Sequence, residues 1–231
     1  MIVPGLPLSE HLPQSPGTAA LLLGGGEPEA AALRRSGFRV DRHALDTGPL
    51  AERAGVPFTP PVVEWPFPDE AFDLVLLLDE LAVTVREEEA LAEAARVLRP
   101  GGALVLRVPA TGRLAWLDGF NAYRYLQETT NRGERLRDVA GVGWRRHYPR
   151  DDLRALLQPH FRVREMRASG IGLADAARLG LLLFWRWALA SDRGDAAIRR
   201  IPAWLARREG RWSLAGRGYS LVVIAERPPE R

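Results

Sequence analysis

Short apolar runs alternate with amphipathic stretches along most of this chain. Three runs, at 19–26, 72–78 and 103–108, are almost continuously apolar and have the length of a strand. Strands covered on both faces show this pattern, because neither face meets water. Two weaker runs, at 38–46 and 61–65, bring the number of strands predicted in the first half of the chain to five.

The second half adds strands predicted at 161–169 and 219–227, which makes seven. Strands that alternate with helical patterns favour a parallel sheet with right-handed crossovers. The first 17 residues hold four prolines and two glycines and cannot sustain a helix or a central strand. The expected units are an irregular arm at 1–17, a single domain at 18–231 and, within it, a lid-like polar and aromatic segment at 111–150 and a helical insertion at 170–210.

Helix boundaries are indicated by local signals between the strands. A short helix after the first strand is stopped by Gly37. Thr84 and Glu87 have the spacing of a capping box, and the helix that they predict ends at the Pro-Gly-Gly turn starting at Pro100. Asp151 is predicted to cap a third helix.

Composition narrows the class of protein. A chain of 231 residues with 46% hydrophobic content can bury one sizeable core. All 32 basic residues are arginine, which points to a GC-rich genome, and a net charge of +3 is a weak argument for nucleic acid, so we expect no nucleic-acid partner. The absence of cysteine excludes disulfides and thiolate zinc sites. The N-terminus does not show the basic residues followed by an apolar run that mark a signal peptide, so we expect a cytoplasmic location. We also expect a bacterial protein.

The segment from Trp65 to Pro109 contains WPFPDEAFDLVLLLDEL, then ARVLRPGG and an apolar strand. It resembles the central segment of class I S-adenosylmethionine-dependent methyltransferases of the small-molecule type 11 family. The resemblance implies an α/β, Rossmann-like, seven-stranded and mostly parallel sheet with helices on both faces. It also implies S-adenosylmethionine as cofactor and methyl transfer to a small-molecule, glycan or lipid-linked acceptor. The alternative is a non-catalytic binding or dimerisation module that has lost the cofactor.

The glycine loop LLLGGGEP follows the first predicted strand. In the family, an acid and G-x-G-x-G at this point hold the methionine part of the cofactor, which implies that role for Gly24, Gly25 and Gly26. Leu22 replaces the acid and Pro28 replaces the third glycine, so the loop is degenerate. A tight turn without a ligand remains the alternative, because short glycine motifs often arise without function.

Asp46 ends the second predicted strand in the turn sequence DTGP. A carboxylate at a strand end can accept both ribose hydroxyls of an adenosine, and this is the role that the resemblance implies. Asp41 is the competing acid, but it lies in the middle of the strand. A turn-initiating aspartate is the alternative interpretation of Asp46.

Four further residues are expected to contact the cofactor. Val62 and Val63 would line the adenine, although the side-chain acceptor of the family is missing because Pro61 stands in its place. Leu78 would lie against the adenine or the sulfonium. Asp79, just after the strand at 72–78, would contact cofactor or acceptor, or would instead cap the turn that follows.

Acceptor contacts are expected from two motifs after the fifth strand. A W-x-D-x-x-N arrangement and the following RRHYPRDDL resemble a pair of motifs in methyltransferases of glycans and lipids. The implied acceptor-binding residues are Trp116, Asn121, Tyr123, Arg146, His147 and Tyr148. His147 is the one candidate for a general base, since an imidazole titrates near neutrality, with a structural role as the alternative. No second histidine lies at ligand spacing, so we expect no metal.

The segment 172–190 is unusually apolar. Arg178 and Arg186 bracket a stretch much shorter than the ~20 residues that a bilayer requires. Three roles remain open: a cover for the core, a homodimer interface, or a helix lying in a membrane plane with Trp185 and Trp187 at the headgroups. The third role would place the protein at the inner face of the membrane.

Overall fold

The computed structural model describes residues 18–43, 64–82, 84, 86–111, 118, 146–182, 184–185, 200–202, 204–205, 208 and 218–229. Strands and helices alternate along these residues. The elements are β1 (Ala19–Gly24), α1 (Glu27–Arg35), β2 (Arg39–His43), β3 (Phe72–Leu78), α2 (Glu87–Val97), β4 (Leu98–Pro109), α3 (Arg150–Leu157), β5 (Arg162–Ser169), α4 (Leu173–Leu182) and β6 (Ser220–Glu226).

The strands form one mixed sheet in the order β2-β1-β3-β4-β6-β5. The pairs β1–β2, β1–β3 and β3–β4 are parallel, whereas β6 runs antiparallel to both β4 and β5. Since β2 lies on one side of β1 and β3 on the other, the strand order reverses at β1 and β3. Open α/β sheets bind ligands at such a switch point, outside the carboxyl ends of the strands.

The sheet contains six strands within the described residues, and the prediction of seven is therefore corrected. The strand predicted at 61–65 is the one missing from the count, although 61–63 lie outside the described residues. The backbone N–H of Trp65 donates to Glu93 Oε2 at 2.8 Å, and its carbonyl accepts from the N–H of Phe67 at 2.7 Å. These bonds to α2 and to a local turn take the place of a strand ladder.

Helices cover both faces of the sheet, as predicted. Alternate residues of β1 point to opposite faces, so Leu21 and Leu23 join a core that includes α2 and α3. Leu22 joins the other core, which includes Ala30 and Leu33 of α1. Both faces of β1 are thus fully buried, which explains its uninterrupted apolar sequence.

Two predicted helix caps are wrong. Helix α2 begins at Glu87 with Arg86 at its cap position, so Thr84 lies outside the helix. Helix α3 begins at Arg150 after Pro149, and Asp151 lies inside its first turn. Acids in a first turn stabilise a helix through its dipole without capping it. Glu87 and Asp151 therefore mark the starts of these two helices, although neither helix has the predicted cap residue.

The Pro-Gly-Gly turn also has a different place from the one predicted. Helix α2 ends at Val97, and β4 begins at the next residue. Phe72 pairs with Leu98 and Leu74 pairs with Ala103, so the strand register shifts across this turn. The turn therefore forms an irregular start to β4 instead of ending the helix.

Helix α4 lies in the segment 170–210, where the sequence predicts a helical insertion. Large apolar side chains in and after this helix are exposed: Leu173 and Phe184 are 43% and 52% exposed. Among the described residues, no helix has both the length and the apolar character that crossing a bilayer requires.

Candidate functional site

Three parallel strands end side by side at the switch point. In the strand register Gly24 pairs with Leu78, and Leu78 pairs with Arg107. These three residues therefore form a row across β1, β3 and β4. The loops that follow β1 and β3 start from this row, which we call the carboxyl edge.

The glycine turn after β1 packs directly against the end of β3. Gly24 and Gly25 have φ values of +72° and +67°, a region that favours glycine. A β-carbon at Gly24 would lie 2.2 Å from the carbonyl oxygen of Leu78, and one at Gly25 would lie 3.0 Å from Leu78 Cδ1. The N–H of Gly26 donates to Glu29 Oε2 at 2.8 Å, which ties the turn to α1. The glycines thus permit a close approach of two backbones as well as a turn.

The two departures from the family loop have structural roles. Leu22 is 1% exposed and belongs to the core between the sheet and α1. Pro28 lies in the first turn of α1, where a proline is favoured because its missing N–H would have no helical partner. Neither residue interrupts the carboxyl edge.

Asp79 is bound to the neighbouring strand through both backbone and side chain. It adopts φ +66°, which aspartate tolerates better than most residues, and its N–H donates to the carbonyl of Arg107 at 2.9 Å. Asp79 Oδ2 accepts hydrogen bonds from Nε and an Nη of Arg107 at 3.0 and 2.6 Å. This carboxylate is therefore committed to an internal ion pair.

Arg107 is a site residue that sequence reasoning missed. It lies within the apolar run of β4, between Leu106 and Val108. A charged residue near the end of an apolar strand was the one signal in the sequence that pointed to it. Burial lowers the pKa of Arg107, but the negative charges of Asp79, Glu29 and Asp175 outweigh that effect and raise it. Asp175, in α4, accepts a hydrogen bond from the Tyr219 hydroxyl at 2.8 Å. The start of the insertion therefore contributes charge to this edge.

Glu80 lies over the glycine turn. A β-carbon at Gly24 would come within 2.7 Å of Glu80 Cγ and 3.1 Å of Oε1. Burial raises the pKa of Glu80, and the nearby charge of Asp79 raises it further. A partly buried carboxylate therefore faces the end of β1, although it comes from the loop after β3.

Residues 146–148 cross the same edge. The N–H of Arg146 donates to the carbonyl of Ala82 at 2.8 Å, and the N–H of Tyr148 donates to that of Pro109 at 3.0 Å. Tyr148 also pairs with Ala110 in an isolated parallel bridge. This short segment therefore links the loop after β3 to the end of β4.

Arg146 and Tyr148 both contact Glu87 at the start of α2. The Tyr148 hydroxyl donates to Glu87 Oε2 at 2.6 Å and approaches the carbonyl of Leu81 at 3.1 Å. An Nη of Arg146 lies 2.5 Å from the same carboxylate oxygen. Burial, followed by the hydrogen bond and charge of Glu87, raises the pKa of Tyr148. These contacts hold the segment in place and leave Tyr148 buried.

His147 lies between these two residues and contacts a different acid. Its Nε2 lies 3.3 Å from Oδ2 of Asp118, which is 1% exposed. Side chains alternate along an extended segment, so His147 points away from Glu87. Asp118 is the aspartate of the W-x-D-x-x-N motif, and the structure thus brings together one residue from each of the two predicted acceptor motifs.

Several predicted site residues lie outside the described residues. They are Asp46, Val62, Val63, Trp116, Asn121 and Tyr123. The competing acid, Asp41, is exposed in β2. In the described part of the chain, no group of histidine, aspartate and glutamate side chains has an arrangement that could hold a metal ion.

The carboxyl edge and the sheet order define an α/β, Rossmann-like domain with a ligand-binding switch point. Residues 43–106 match the sequence profile of the type 11 methyltransferase domain. No curated protein matches the chain by sequence. This match confirms the resemblance seen in the sequence over residues 43–106, and solved structures show that the fold is shared.

Three solved structures illustrate the likeness, each with a TM-score of 0.53. An S-adenosylmethionine-dependent methyltransferase from Methanosarcina mazei is 16% identical, with 97% of this chain and 99% of that chain covered. A Haloferax volcanii protein assigned as a methyltransferase, in complex with a methyltransferase activator, is 16% identical, with 96% and 87% covered. A Haemonchus contortus phosphoethanolamine N-methyltransferase, in complex with phosphomonomethylethanolamine and S-adenosylhomocysteine, is 14% identical, with 96% and 51% covered. At these identities the likeness concerns the fold.

Proposed function

We propose that this chain binds S-adenosylmethionine at the carboxyl edge and transfers its methyl group to a small-molecule, glycan or lipid-linked acceptor. The observation that carries the proposal is the glycine turn, whose Gly24 lies against the end of β3 at the switch point. The match of residues 43–106 to the methyltransferase domain supports the same function. The S-adenosylhomocysteine bound to the Haemonchus contortus neighbour supports the choice of cofactor.

The residues at the edge fit the chemistry of this cofactor. The turn from Gly24 to Gly26 offers backbone without side chains for a close approach, and Leu78 offers an apolar contact. Asp46 would accept the ribose hydroxyls, and Val62 and Val63 would line the adenine. When bound, S-adenosylmethionine supplies a methyl group activated by its sulfonium.

The protein's own contribution would be orientation and removal of a proton. Holding a nucleophile in line with an activated methyl group supplies most of the rate enhancement that such a reaction needs. Where the acceptor is a hydroxyl or an amine, His147 would take its proton. The carboxylate of Asp118, whose Oδ2 lies 3.3 Å from Nε2, would stabilise the imidazolium that forms.

The acceptor would lie under residues 111–150, the proposed lid-like segment. Trp116, Asn121 and Tyr123 are its proposed contacts, and Arg146 and Tyr148 would position His147 through their bonds to Glu87. A carboxyl edge that is bordered by this segment would exclude water from the transferred methyl group.

The competing proposal is a non-catalytic module that has lost the cofactor. Leu22, Pro28 and Pro61 motivate it, but Gly24 and Gly25 form a turn with positive φ that leaves the end of β1 free of side chains, which favours a working site. The test combines thermal shift with S-adenosylmethionine and release of S-adenosylhomocysteine on addition of hydroxyl and amine acceptors. A stabilised protein with turnover on one acceptor class supports the proposal. No shift with millimolar cofactor or product would favour the non-catalytic module.

Leu173 and Phe184 are exposed in the described part of the apolar segment 172–190, which suggests self-association. We propose a homodimer through this segment, with contact to the inner face of a membrane as the alternative. Phe184, which is 52% exposed, is the clearest apolar contact. Sedimentation should show a dimer that Phe184→Glu disrupts. A wild-type chain that is monomeric and ignores anionic vesicles would leave the segment as a cover for its own core.

A further inference from the structure

The end of β1 lacks the negative charge that a bound amino acid would need. S-adenosylmethionine carries an ammonium group on its methionine part, and burying a cation without a partner is costly. Leu22 is buried in the core on the α1 face and offers no acceptor. A carboxylate from another element at this edge would offset that cost.

Among the described residues, four carboxylates lie near the turn, and three of them are already engaged. Glu27 pairs with two arginine side chains at 2.7 and 3.5 Å. Glu29 accepts the N–H of the turn itself at 2.8 Å. Asp79 is held by Arg107 at 2.6 Å. The fourth is Glu80, which pairs with no arginine or histidine side chain among the described residues.

Glu80 also has the required position. Its Cγ and Oε1 lie 2.7 and 3.1 Å from the place that a β-carbon of Gly24 would occupy. The absence of a side chain at Gly24 is therefore what lets this carboxylate reach the end of β1. Burial and the charge of Asp79 raise the pKa of Glu80, which indicates that its ionised form lacks compensation in the protein alone. A ligand cation would supply that compensation.

We propose that Glu80 binds the ammonium group of the methionine part of S-adenosylmethionine and replaces the carboxylate missing from β1. The inference rests on the proposed function and identifies the residue that binds the amino group of the cofactor. The loop after β3 would thus supply the carboxylate that the end of β1 lacks, at the same edge of the sheet.

Two ligands and two proteins test this assignment by calorimetric titration. The ligands are S-adenosylhomocysteine and its analogue without the amino group, and the proteins are the wild type and Glu80→Gln. A hydrogen bond between charged groups corresponds to roughly a 10- to 100-fold change in affinity. The wild type should prefer S-adenosylhomocysteine over the analogue by about that factor, whereas Glu80→Gln should bind the two ligands equally.

Glu88→Gln is the matched control, because Glu88 is exposed on α2 and its substitution makes the same change in charge. It should retain the full preference of the wild type. A wild type that does not distinguish the two ligands overturns the inference without any variant. So does a Glu80→Gln protein that keeps the preference. If the wild type binds neither ligand, the proposed function fails, and the role of Glu80 fails with it.

Discussion

Alanine at Gly24 should destabilise the domain more than alanine at Gly37, and the difference measures how tightly the glycine turn packs against β3. Both glycines have positive φ, +72° and +91°, so a β-carbon costs about 1 kcal/mol or more at either position. At Gly37 nothing lies within 4 Å of that carbon. At Gly24 it would meet the Leu78 carbonyl at 2.2 Å, and relieving such an overlap adds about 1 to 3 kcal/mol.

Thermal unfolding of the two variants tests this difference. For a chain of this size, 1 kcal/mol corresponds to about 2 to 4 °C in Tm. Gly37→Ala should therefore lower the Tm by about 3 °C, and Gly24→Ala by about 4 to 16 °C. Urea unfolding should rank the variants in the same order. Equal losses would refute the close packing of the turn on β3, and with it the geometry of the carboxyl edge.

Three further results are expected. Arg107→Met should lower the free energy of unfolding in urea by about 1.5 to 3 kcal/mol, because Asp79 loses its ion pair with Arg107. Adding Asp79→Asn should recover part of the loss, and additive effects of the two substitutions would argue against the ion pair. Glu80→Gln should raise the Tm of the ligand-free protein at neutral pH. The raised pKa of Glu80 means that ionisation of this carboxyl destabilises the folded protein. This destabilisation is absent below the ordinary pKa of 4.5 and grows as the pH rises through the folded pKa. A Tm gain of the variant that stays constant from pH 4 to pH 8 would contradict that cause. His147→Ala should lower kcat for a hydroxyl or amine acceptor by about 100-fold or more without weakening cofactor binding, and Asp118→Asn should act in the same direction; unchanged kcat in both would assign the pair a structural role.

The fold was predictable where burial alone decides structure. Strands β1 and β3 are buried on both faces, so their sequences are apolar except for Asp73 near the start of β3, and the predicted 72–78 run coincides with β3. The caps were predicted less well, because a cap depends on the backbone angles of one residue. Thr84 has the right chemistry, but the chain turns into the helix only after Arg86. The backbone angles that set this start of the helix cannot be deduced from the sequence alone.

The candidate site was predictable only in part. The position of the three glycines and of Asp79 at the carboxyl edge was predictable, because strand ends and turn residues leave local signals. Arg107 and Glu80 were missed, since their roles depend on the neighbouring strand and the neighbouring loop. The contact of His147 with Asp118 joins two segments far apart in the chain, and only the folded edge brings them together.

A crystal structure of the wild-type chain with S-adenosylhomocysteine tests the central claim most directly. The account predicts one ligand at the carboxyl edge, with its amino acid part along the backbone from Gly24 to Gly26 and its amino group within hydrogen-bond distance of Glu80. A ligand bound elsewhere, or a carboxyl edge that stays free of ligand in crystals grown at saturating concentration, would contradict it.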